Sequence, residues 1–158
     1  MNYEIREANK HDYAGISQLT MEVYNLHLKN RPDVYLDIEN PLSKEFFNDL
    51  LNSNTTNIFI VENTDNKQLV AYSILQIMNT KNPIYIPKKY IYIDDFCVKS
   101  TLKRTGIGKL LFNHIVDYAK LENAAALQLN VWEFNQDALK FYESMGMNTR
   151  NRMMELNF

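Results

Sequence analysis

One run of residues, Val98 to Leu111, constrains the fold of this chain more than any other. It reads VKSTLKRTGIGKLL, a strand end followed by a loop that opens directly into an amphipathic helix. Gly106 and Gly108 lack a Cβ, so the backbone here can adopt conformations closed to other residues and approach a ligand closely. The first amides of the helix point outward, with the positive end of the helix dipole behind them. The run therefore predicts a phosphate-binding loop.

The charges and spacing of this loop narrow the kind of phosphate ligand. Lys103, Arg104 and Lys109 add positive charge to its mouth. The loop is not a Walker A sequence, which needs Gly-x-x-x-x-Gly-Lys-Ser/Thr, and it lacks the first glycine of a dinucleotide fingerprint. These differences disfavour nucleotide hydrolysis and NAD binding. Taken alone, the loop is also compatible with an ordinary strand-to-helix turn.

The chain has 158 residues and a net charge of −2, with both signs interspersed. That length predicts a single domain, residues 1–158, large enough to bury a sizeable core. No basic patch is evident, so we expect neither nucleic acid nor an anionic membrane as a partner. A cationic small substrate is compatible with this charge.

The single cysteine, Cys97, excludes an internal disulfide and a cysteine-rich metal site. His11, His27 and His114 are scattered without metal-ligand spacing, so we expect no metal. The first residues carry charges and no apolar run, and no segment approaches the ~20 apolar residues of a membrane span. These observations predict a cytoplasmic protein.

Hydrophobic periodicity predicts the order strand, two helices, three strands, helix, strand, helix, strand. A segment bracketed by prolines, Asn30 to Pro41, is predicted to loop over the site. The predicted strands are Asn2–Ala8, Asn57–Asn63, Gln68–Met78, Lys89–Val98 and Ala125–Trp132, with Met147–Phe158 as one or two closing strands; the predicted helices are Asn9–Lys29, Ser43–Leu51, Gly108–Leu121 and Gln136–Met145.

These elements predict an α/β fold with a mixed sheet and helices on both faces. The crossover from Tyr90 to Trp132 makes its two strands parallel, whereas the hairpin before it pairs antiparallel strands. Ligands in such sheets bind beyond the carboxyl ends of the parallel strands, which is where the glycine loop lies.

A second informative run, Asn130 to Met147, reads NVWEFNQDALKFYESMGM. Asn135 is suited to be the N-cap of the helix, and Ala138 and Tyr142 then share one helix face. A small residue there leaves room for a ligand, and a phenol follows one turn later. Gly146 is expected to end the helix. The aromatic residues of this helix are equally compatible with a purely structural role in the core.

The glycine loop followed by Asn-x-x-Ala-x-x-x-Tyr-x-x-x-Gly resembles the GNAT superfamily of acetyl-CoA-dependent N-acetyltransferases. The resemblance covers the whole order of elements and is strongest from Tyr90 to Met147. It implies a GNAT-like, mostly antiparallel twisted sheet with a parallel strand pair at the CoA site. It also implies acetyl-CoA as co-substrate, with no metal.

The family loop Gln/Arg-x-x-Gly-x-Gly/Ala matches Lys103 to Gly108, with Lys103 departing from the usual residue while keeping its positive charge. The resemblance implies that backbone amides of this loop hold the CoA pyrophosphate, and that the preceding strand end and Asn135 bind the pantetheine. The residues so implied in CoA binding are Phe96, Cys97, Val98, Lys103, Arg104, Thr105, Gly106, Ile107, Gly108, Lys109, Asn135, Ala138 and Tyr142.

The resemblance places Tyr142 beside the CoA sulfur. A phenol with a pKa of ~10 stays neutral at pH 7 and can protonate the departing thiolate. Local similarity to the spermidine/spermine N-acetyltransferases around Tyr92 to Val98 implies Asp94 as the acid that removes the amine proton through water, with Asp95 and Glu133 as alternatives. Simple strand alternation predicts that Asp94 and Asp95 face opposite sides of the sheet.

These patterns predict direct acetyl transfer to a primary amine of a small molecule in a ternary complex. Transfer to a protein lysine or N-terminal amine, and a CoA-binding module without turnover, are the alternatives. Asp33, Asp37 and Glu39 are candidates to attract a cationic acceptor, and Tyr24, Tyr35, Trp132 and less directly His27 are candidates to line its pocket. A homodimer is common among similar proteins, although no interface is evident in the sequence.

Overall fold

The computed structural model describes residues 2–158 and consists of one five-stranded sheet with four α-helices. The strands are β1 (Tyr3–Glu7), β2 (Thr56–Asn63), β3 (Leu69–Asn79), β4 (Lys89–Val98) and β5 (Leu127–Gln128), and the helices are α1 (Tyr13–Asn30), α2 (Lys44–Asn52), α3 (Ile107–Leu121) and α4 (Gln136–Ser144). Short 3₁₀ turns span Lys10–Asp12 and Ser100–Leu102.

The strands follow the order β1-β2-β3-β4-β5 across the sheet. The first four pair antiparallel, whereas β4 and β5 pair parallel across the α3 crossover. The predicted mixed sheet with one parallel pair is therefore confirmed.

Each face of the sheet carries its own hydrophobic core. One core joins the sheet to α1 and α2 through buried residues such as Ile16 and Phe47. The other joins it to α3 through Leu111 and Ile115, with the aromatic residues of α4 packed at its margin. The periodic apolar residues of the helices thus meet opposite faces, as an amphipathic pattern requires.

Local caps fix where the helices begin. The Ser43 Oγ accepts a hydrogen bond from the Phe46 amide at 3.1 Å, and the Asn135 Oδ1 accepts one from the Ala138 amide at 3.2 Å. The first helix starts later than predicted. Asn9 and Asp12 form a reciprocal capping box around a 3₁₀ turn, so the regular helix begins only at Tyr13.

Two strand predictions near the end of the chain are wrong. The predicted strand Ala125–Trp132 shortens to Leu127–Gln128, and residues 147–158 contain no strand. A strand forms only against the edge of a neighbour, and the chain leaves the sheet after Gln128. The terminal segment is tied down by side chains instead, through Glu155 to Arg31 at 2.7 Å and Arg152 to Glu133 at 3.7 Å.

A β-bulge interrupts β4 at Asp94. On β3, Ile74 pairs with Asp95 and the next residue, Leu75, pairs with Ile93, so Asp94 has no partner. The Ser73 hydroxyl donates to the Asp95 carbonyl at 2.7 Å and fixes the distorted backbone. The bulge reverses the alternation of side chains beyond it, which is decisive for the site.

Candidate active site

A cleft of about 1090 Å³ opens where β4 and β5 diverge. The two strands pair only at Ile91 with Leu127 and at Tyr92 with Gln128. Beyond this point the second edge of β4 is without a strand partner in residues 2–158. The cleft therefore lies beyond the carboxyl end of the parallel pair, as expected for such a sheet.

The backbone of β4 presents hydrogen-bonding groups to this cleft. The Lys99 amide donates to the Val70 carbonyl at 2.8 Å, so residue 99 faces β3. Backbone N–H and C=O groups of successive strand residues point to alternate edges of the strand. Those of Cys97 therefore also face β3, whereas those of Phe96 and Val98 point to the open edge. All three residues line the cleft, but only Phe96 and Val98 offer it backbone groups.

The glycine loop forms one mouth of the cleft. Gly106 adopts φ = 93°, and a Cβ built there would meet no atom within 4 Å, so only its backbone conformation requires glycine. Arg104 is also left-handed, at φ = 64°. The first helical bond runs from the Leu110 amide to the Gly106 carbonyl, which leaves the amides of residues 107–109 without helical acceptors.

The side chains of the loop divide into two groups. Lys103, Arg104 and Lys109 line the cleft and give its mouth a positive charge. Thr105 and Ile107 do not line it: the Thr105 hydroxyl donates to the Leu102 carbonyl at 2.6 Å, and Ile107 is buried in the core. Only the backbone of these last two residues is available to a ligand.

Gly108 has a packing role that the sequence did not reveal. A Cβ at this position would lie 3.3 Å from the Phe141 ring and 3.6 Å from Val98. The absence of a side chain therefore lets the first turn of α3 pack closely against α4.

Tyr142 projects from α4 into the cleft, near the open edge of β4. Its ring packs edge-on against Phe96, with the centroids 6.1 Å apart. Burial, reinforced by the charges of Asp95 and Cys97, raises the pKa of Tyr142 above its usual value. Its hydroxyl has no hydrogen-bond partner within residues 2–158, so it is available to a bound molecule. Asn135 and Ala138 of the same helix also line the cleft.

The three acidic candidates are in different environments. Asp94 is exposed at the bulge and lines the cleft. Asp95 also lines the cleft but is mostly buried, and burial raises its pKa above the usual range. Glu133 is exposed, forms an ion pair with Arg152 and does not line the cleft.

The predicted alternation along β4 is wrong beyond Ile93. Ile91 and Ile93 pack in the α3 core, and simple alternation would put Cys97 there too. Instead Cys97 lies in the α1 core, and Phe96 packs on the α3 side. The bulge at Asp94 shifts the register by one residue, which turns every later side chain to the other face.

Aromatic side chains form one wall of the cleft. Tyr24, His27, Tyr35 and Trp132 line it, and the Trp132 Nε1 donates to the Tyr35 hydroxyl at 2.9 Å. The predicted loop contributes Tyr35 and Pro41 to this wall, but Asp33, Asp37 and Glu39 do not line the cleft.

Arg31, which sequence reasoning did not single out, braces the aromatic wall. Its guanidinium lies 4.7 Å from the Trp132 ring centre and forms ion pairs with Asp33 and Glu155, each at 2.7 Å. Asp33 is therefore engaged by Arg31. No local pattern indicated this cluster, because its members come from three separate parts of the chain.

Two further residues, Thr20 and Tyr72, were also missed. The Tyr72 hydroxyl donates to the Asp95 carboxylate and lies 2.8 Å from the Thr20 hydroxyl. A tyrosine in a buried strand and a threonine in a helix have ordinary structural roles, so neither attracts notice in the sequence.

The described residues contain no group of three or more His, Cys, Asp or Glu side chains placed to hold a metal ion. Among residues 2–158, none of the helices is both long and apolar enough to cross a membrane.

Comparisons with known proteins point in one direction. Residues 20–147 match the acetyltransferase (GNAT) family. A crystal structure of the BH1408 protein of Bacillus halodurans, a tetramutant, superposes with a TM-score of 0.94 at 31% identity, covering 98% of this chain and 99% of that one.

Two curated relatives carry named activities. L-ornithine N5-acetyltransferase NATA1 of Arabidopsis thaliana is 29% identical over 113 residues, which are 72% of this chain and 42% of the relative. The ribosomal protein bS18-alanine N-acetyltransferase of Escherichia coli K12 is 27% identical over 85 residues, 54% of this chain and 51% of the relative. The matched regions thus span about half of each curated relative.

Proposed function

Because the chain belongs to the acetyltransferase (GNAT) family, we propose that it transfers the acetyl group of acetyl-CoA to a primary amine of a small molecule. The observation that carries this proposal is the composition of the cleft. A cationic loop of free amides borders the cleft, and Tyr142, Asp94 and Asp95 line the same space. A protein that only bound CoA would need the loop but neither the phenol nor the acids.

Acetyl-CoA fits the cleft from the loop inward. The amides of Arg104 to Lys109 hold the pyrophosphate, with Lys103, Arg104 and Lys109 adding charge around it. The open backbone groups of Phe96 and Val98 bind the pantetheine and polarise the thioester carbonyl. Asn135, besides capping α4, contacts the pantetheine, and Ala138 leaves room for it.

The reaction proceeds by direct attack of the amine, without an acyl-enzyme. Cys97, the one thiol of the chain, is buried and donates to the Leu19 carbonyl at 3.3 Å, and burial raises its pKa, so it is a poor nucleophile. Tyr142 donates a proton to the thiolate as the C–S bond breaks.

The acceptor amine must first lose a proton, because an alkylamine with a pKa near ~10 is almost wholly protonated at neutral pH. Asp94, exposed at the bulge and lining the cleft, attracts the ammonium group and relays its proton through water. The aromatic wall of Tyr24, Tyr35 and Trp132 then packs against the carbon skeleton of the acceptor and favours a small cation.

The relatives support both a small-molecule acceptor and a protein acceptor, since one acts on L-ornithine and the other on the alanine of a ribosomal protein. A small acceptor is favoured here because Arg31 and the loop residue Tyr35 close the aromatic wall around Trp132. An extended peptide would need this wall to remain open.

The proposal includes a homodimer joined through the terminal segment. Met153, Met154 and Leu156 are 98%, 90% and 79% exposed, and Phe158 is fully exposed. Four exposed apolar side chains so close together in the sequence are candidates for a protein–protein contact. Light scattering should give a dimer for the native chain and a monomer for the double variant Met154→Asp, Leu156→Asp; a monomeric native chain would contradict this part of the proposal.

The function is tested by thiol release from acetyl-CoA against a panel of polyamines, amino acids, aminoglycosides and lysine peptides, beside a thermal-shift titration with CoA. Turnover with one class of small amine is the expected result. Turnover with peptides alone would favour the protein-acetylating alternative. A CoA-induced shift with no turnover on any acceptor would favour a binding module.

A further inference from the structure

A continuous hydrogen-bonded chain leads from the cleft into the α1 core. It starts at the Asp95 carboxylate, passes to the Tyr72 hydroxyl and the Thr20 hydroxyl, and ends at the Ile16 carbonyl. The distance between the Tyr72 and Thr20 hydroxyl oxygens is 2.8 Å, and that from Thr20 Oγ1 to the Ile16 carbonyl is 2.9 Å. Three contacts therefore join four oxygen-bearing groups, with Ile16 and Tyr72 fully buried.

The number of protons shared among these four groups depends on the charge of Asp95. When Asp95 is ionised, only the two hydroxyl protons are available, so one of the three contacts has no hydrogen between its oxygens. When Asp95 is protonated, it donates to Tyr72, Tyr72 donates to Thr20, and Thr20 donates to the Ile16 carbonyl. All three contacts are then complete hydrogen bonds that reinforce one another. This row of hydrogen bonds is therefore complete only when Asp95 has taken up one proton.

Asp95 also borders the cleft in which the acceptor amine is proposed to bind. Asp95 and Thr20 line the cleft, with Asp94 next along the strand. The titratable groups that interact electrostatically with Asp95 are Asp94 and Cys97 on β4, Tyr72 on β3, His27 on α1 and Tyr142 on α4, and Glu22 and Lys103 interact with Cys97. Nearby negative charge at Asp94 opposes the ionised form of Asp95, whereas His27 and the Tyr72 hydrogen bond favour it.

We propose that Asp95 is the residue that holds the acceptor's proton during acetyl transfer, and that Tyr72 and Thr20 are positioning residues that set how readily Asp95 takes up that proton. This inference rests on the acetyltransferase function proposed above. It assigns Asp94 the outer role of attracting the ammonium group and passing its proton inward through water.

The proton balance of the reaction is complete. One ammonium proton moves to Asp95, and the neutral nitrogen forms its bond to the thioester carbon. The C–S bond then breaks, and the thiolate takes the Tyr142 proton. The nitrogen still carries one proton more than the amide needs, and this proton passes to the Tyr142 phenolate and restores the phenol. Asp95 releases its own proton to solvent when the amide and CoA leave. The net products are amide, free thiol and one proton.

The test is the pH profile of kcat/KM, measured with an amine found in the panel. For the native enzyme, kcat/KM should fall at low pH as Asp95 becomes protonated, which gives the profile an acid-side limb. Asp95→Asn should lower the rate about 100-fold at pH 7 and replace this limb by a steady rise toward the pKa of the free amine. Asp94→Asn should weaken amine binding and retain the limb.

The two positioning residues should move this limb in opposite directions. Tyr72→Phe removes the donor to the ionised carboxylate, a charge-assisted bond, so the limb should move to higher pH. Thr20→Val removes the acceptor to which Tyr72 donates when Asp95 is protonated. The protonated form of Asp95 is then less stable, so the limb should move to lower pH. Each displacement should be roughly half to one pH unit. His27→Gln should retain a limb, because His27 is not its source.

Tyr118→Phe is the matched control, because its phenol donates to Asn57 Oδ1 at 2.6 Å on the opposite face of the sheet. It should leave the profile unchanged. An unaltered limb in Asp95→Asn, or its loss in Asp94→Asn, would overturn the assignment of Asp95 while the acetyltransferase function stood. Absence of turnover by the native enzyme on every amine would instead count against the proposed function itself.

Discussion

Tyr142 shows how burial can prepare a single side chain for one task. Its phenol lies in a largely apolar environment of Phe96, Phe112 and Phe141, which raises its pKa. The group therefore stays protonated over the whole physiological range, so the proton it is proposed to donate is always present. A phenylalanine would pack equally well but has no proton to donate.

We expect Tyr142→Phe to keep the affinity for acetyl-CoA within a few-fold and to lower turnover by roughly ten-fold or more. Isothermal titration with CoA and steady-state thiol release measure the two quantities separately. Tyr118→Phe again serves as control, because it removes a hydroxyl remote from the cleft. Turnover equal to that of the native chain would remove Tyr142 from the mechanism.

Among the elements, β4 and the start of α3 together form the site. The bulge at Asp94 separates two adjacent acids, leaving one exposed and turning the other toward Tyr72. The left-handed Gly106 then redirects the chain so that α3 begins with its amides at the cleft. Both features are backbone distortions that serve the ligand site.

Gly106→Ala and Gly146→Ala form a matched pair that separates strain from ligand binding. The two glycines have φ values of 93° and 92°, and a Cβ at either would meet no atom within 4 Å. Each substitution should lower the free energy of unfolding by about 1–2 kcal/mol through backbone strain alone. Urea unfolding measures this cost.

Only Gly106→Ala should also weaken CoA binding, by ten-fold or more, because it disturbs the amides at the loop, whereas Gly146 ends α4 outside the cleft lining. Calorimetric titration with CoA compares the two variants. Equal CoA affinity in both would argue against the loop as the pyrophosphate site.

At the scale of the whole molecule, a partly buried ion-pair cluster joins the first strand to the rest of the fold. Arg6 of β1 donates to both oxygens of Asp12 at 2.8 and 2.9 Å and to Glu62 of β2 at 3.1 Å. Burial alone would raise the pKa of Asp12, but the Arg6 guanidinium and the Asn9 amide outweigh burial and hold that pKa below its usual value.

The lowered pKa gives a signed prediction for stability. Because the folded form of Asp12 binds its proton less readily than the unfolded form, its contribution is present above the unfolded pKa of ~3.9 and is lost as pH falls through the folded value. Asp12→Asn should cost about 1–3 kcal/mol at pH 7 and flatten the acid side of the stability profile.

Urea unfolding between pH 3 and pH 7 measures both effects. Asp33→Asn provides the control, because its carboxylate is exposed and its loss should leave the profile nearly unchanged. If the free energy of unfolding of Asp12→Asn fell at low pH as steeply as that of the native chain, Asp12 would not be a source of the acid dependence.

The sequence by itself determined the order of the elements as far as α4, the glycine loop and the α4 motif. Periodicity, caps such as Asn135 and glycines such as Gly106 act over a few residues, so their effects follow from local sequence. The parallel strand pair followed from the length of the crossover. The aromatic residues of the cleft wall were recognised as candidates, but the bracing of that wall by Arg31 was not.

Only the tertiary structure decided which acid faces which neighbour and how the chain ends. Period-two alternation is broken by the bulge at Asp94, a feature that depends on how β3 pairs with β4. The Asp95 chain joins Thr20 and Tyr72, which are 52 positions apart. The terminal segment has a strand-like pattern but pairs with no strand of the sheet. Strand pairing and buried hydrogen bonds are set by distant partners, and a local pattern contains no record of those partners.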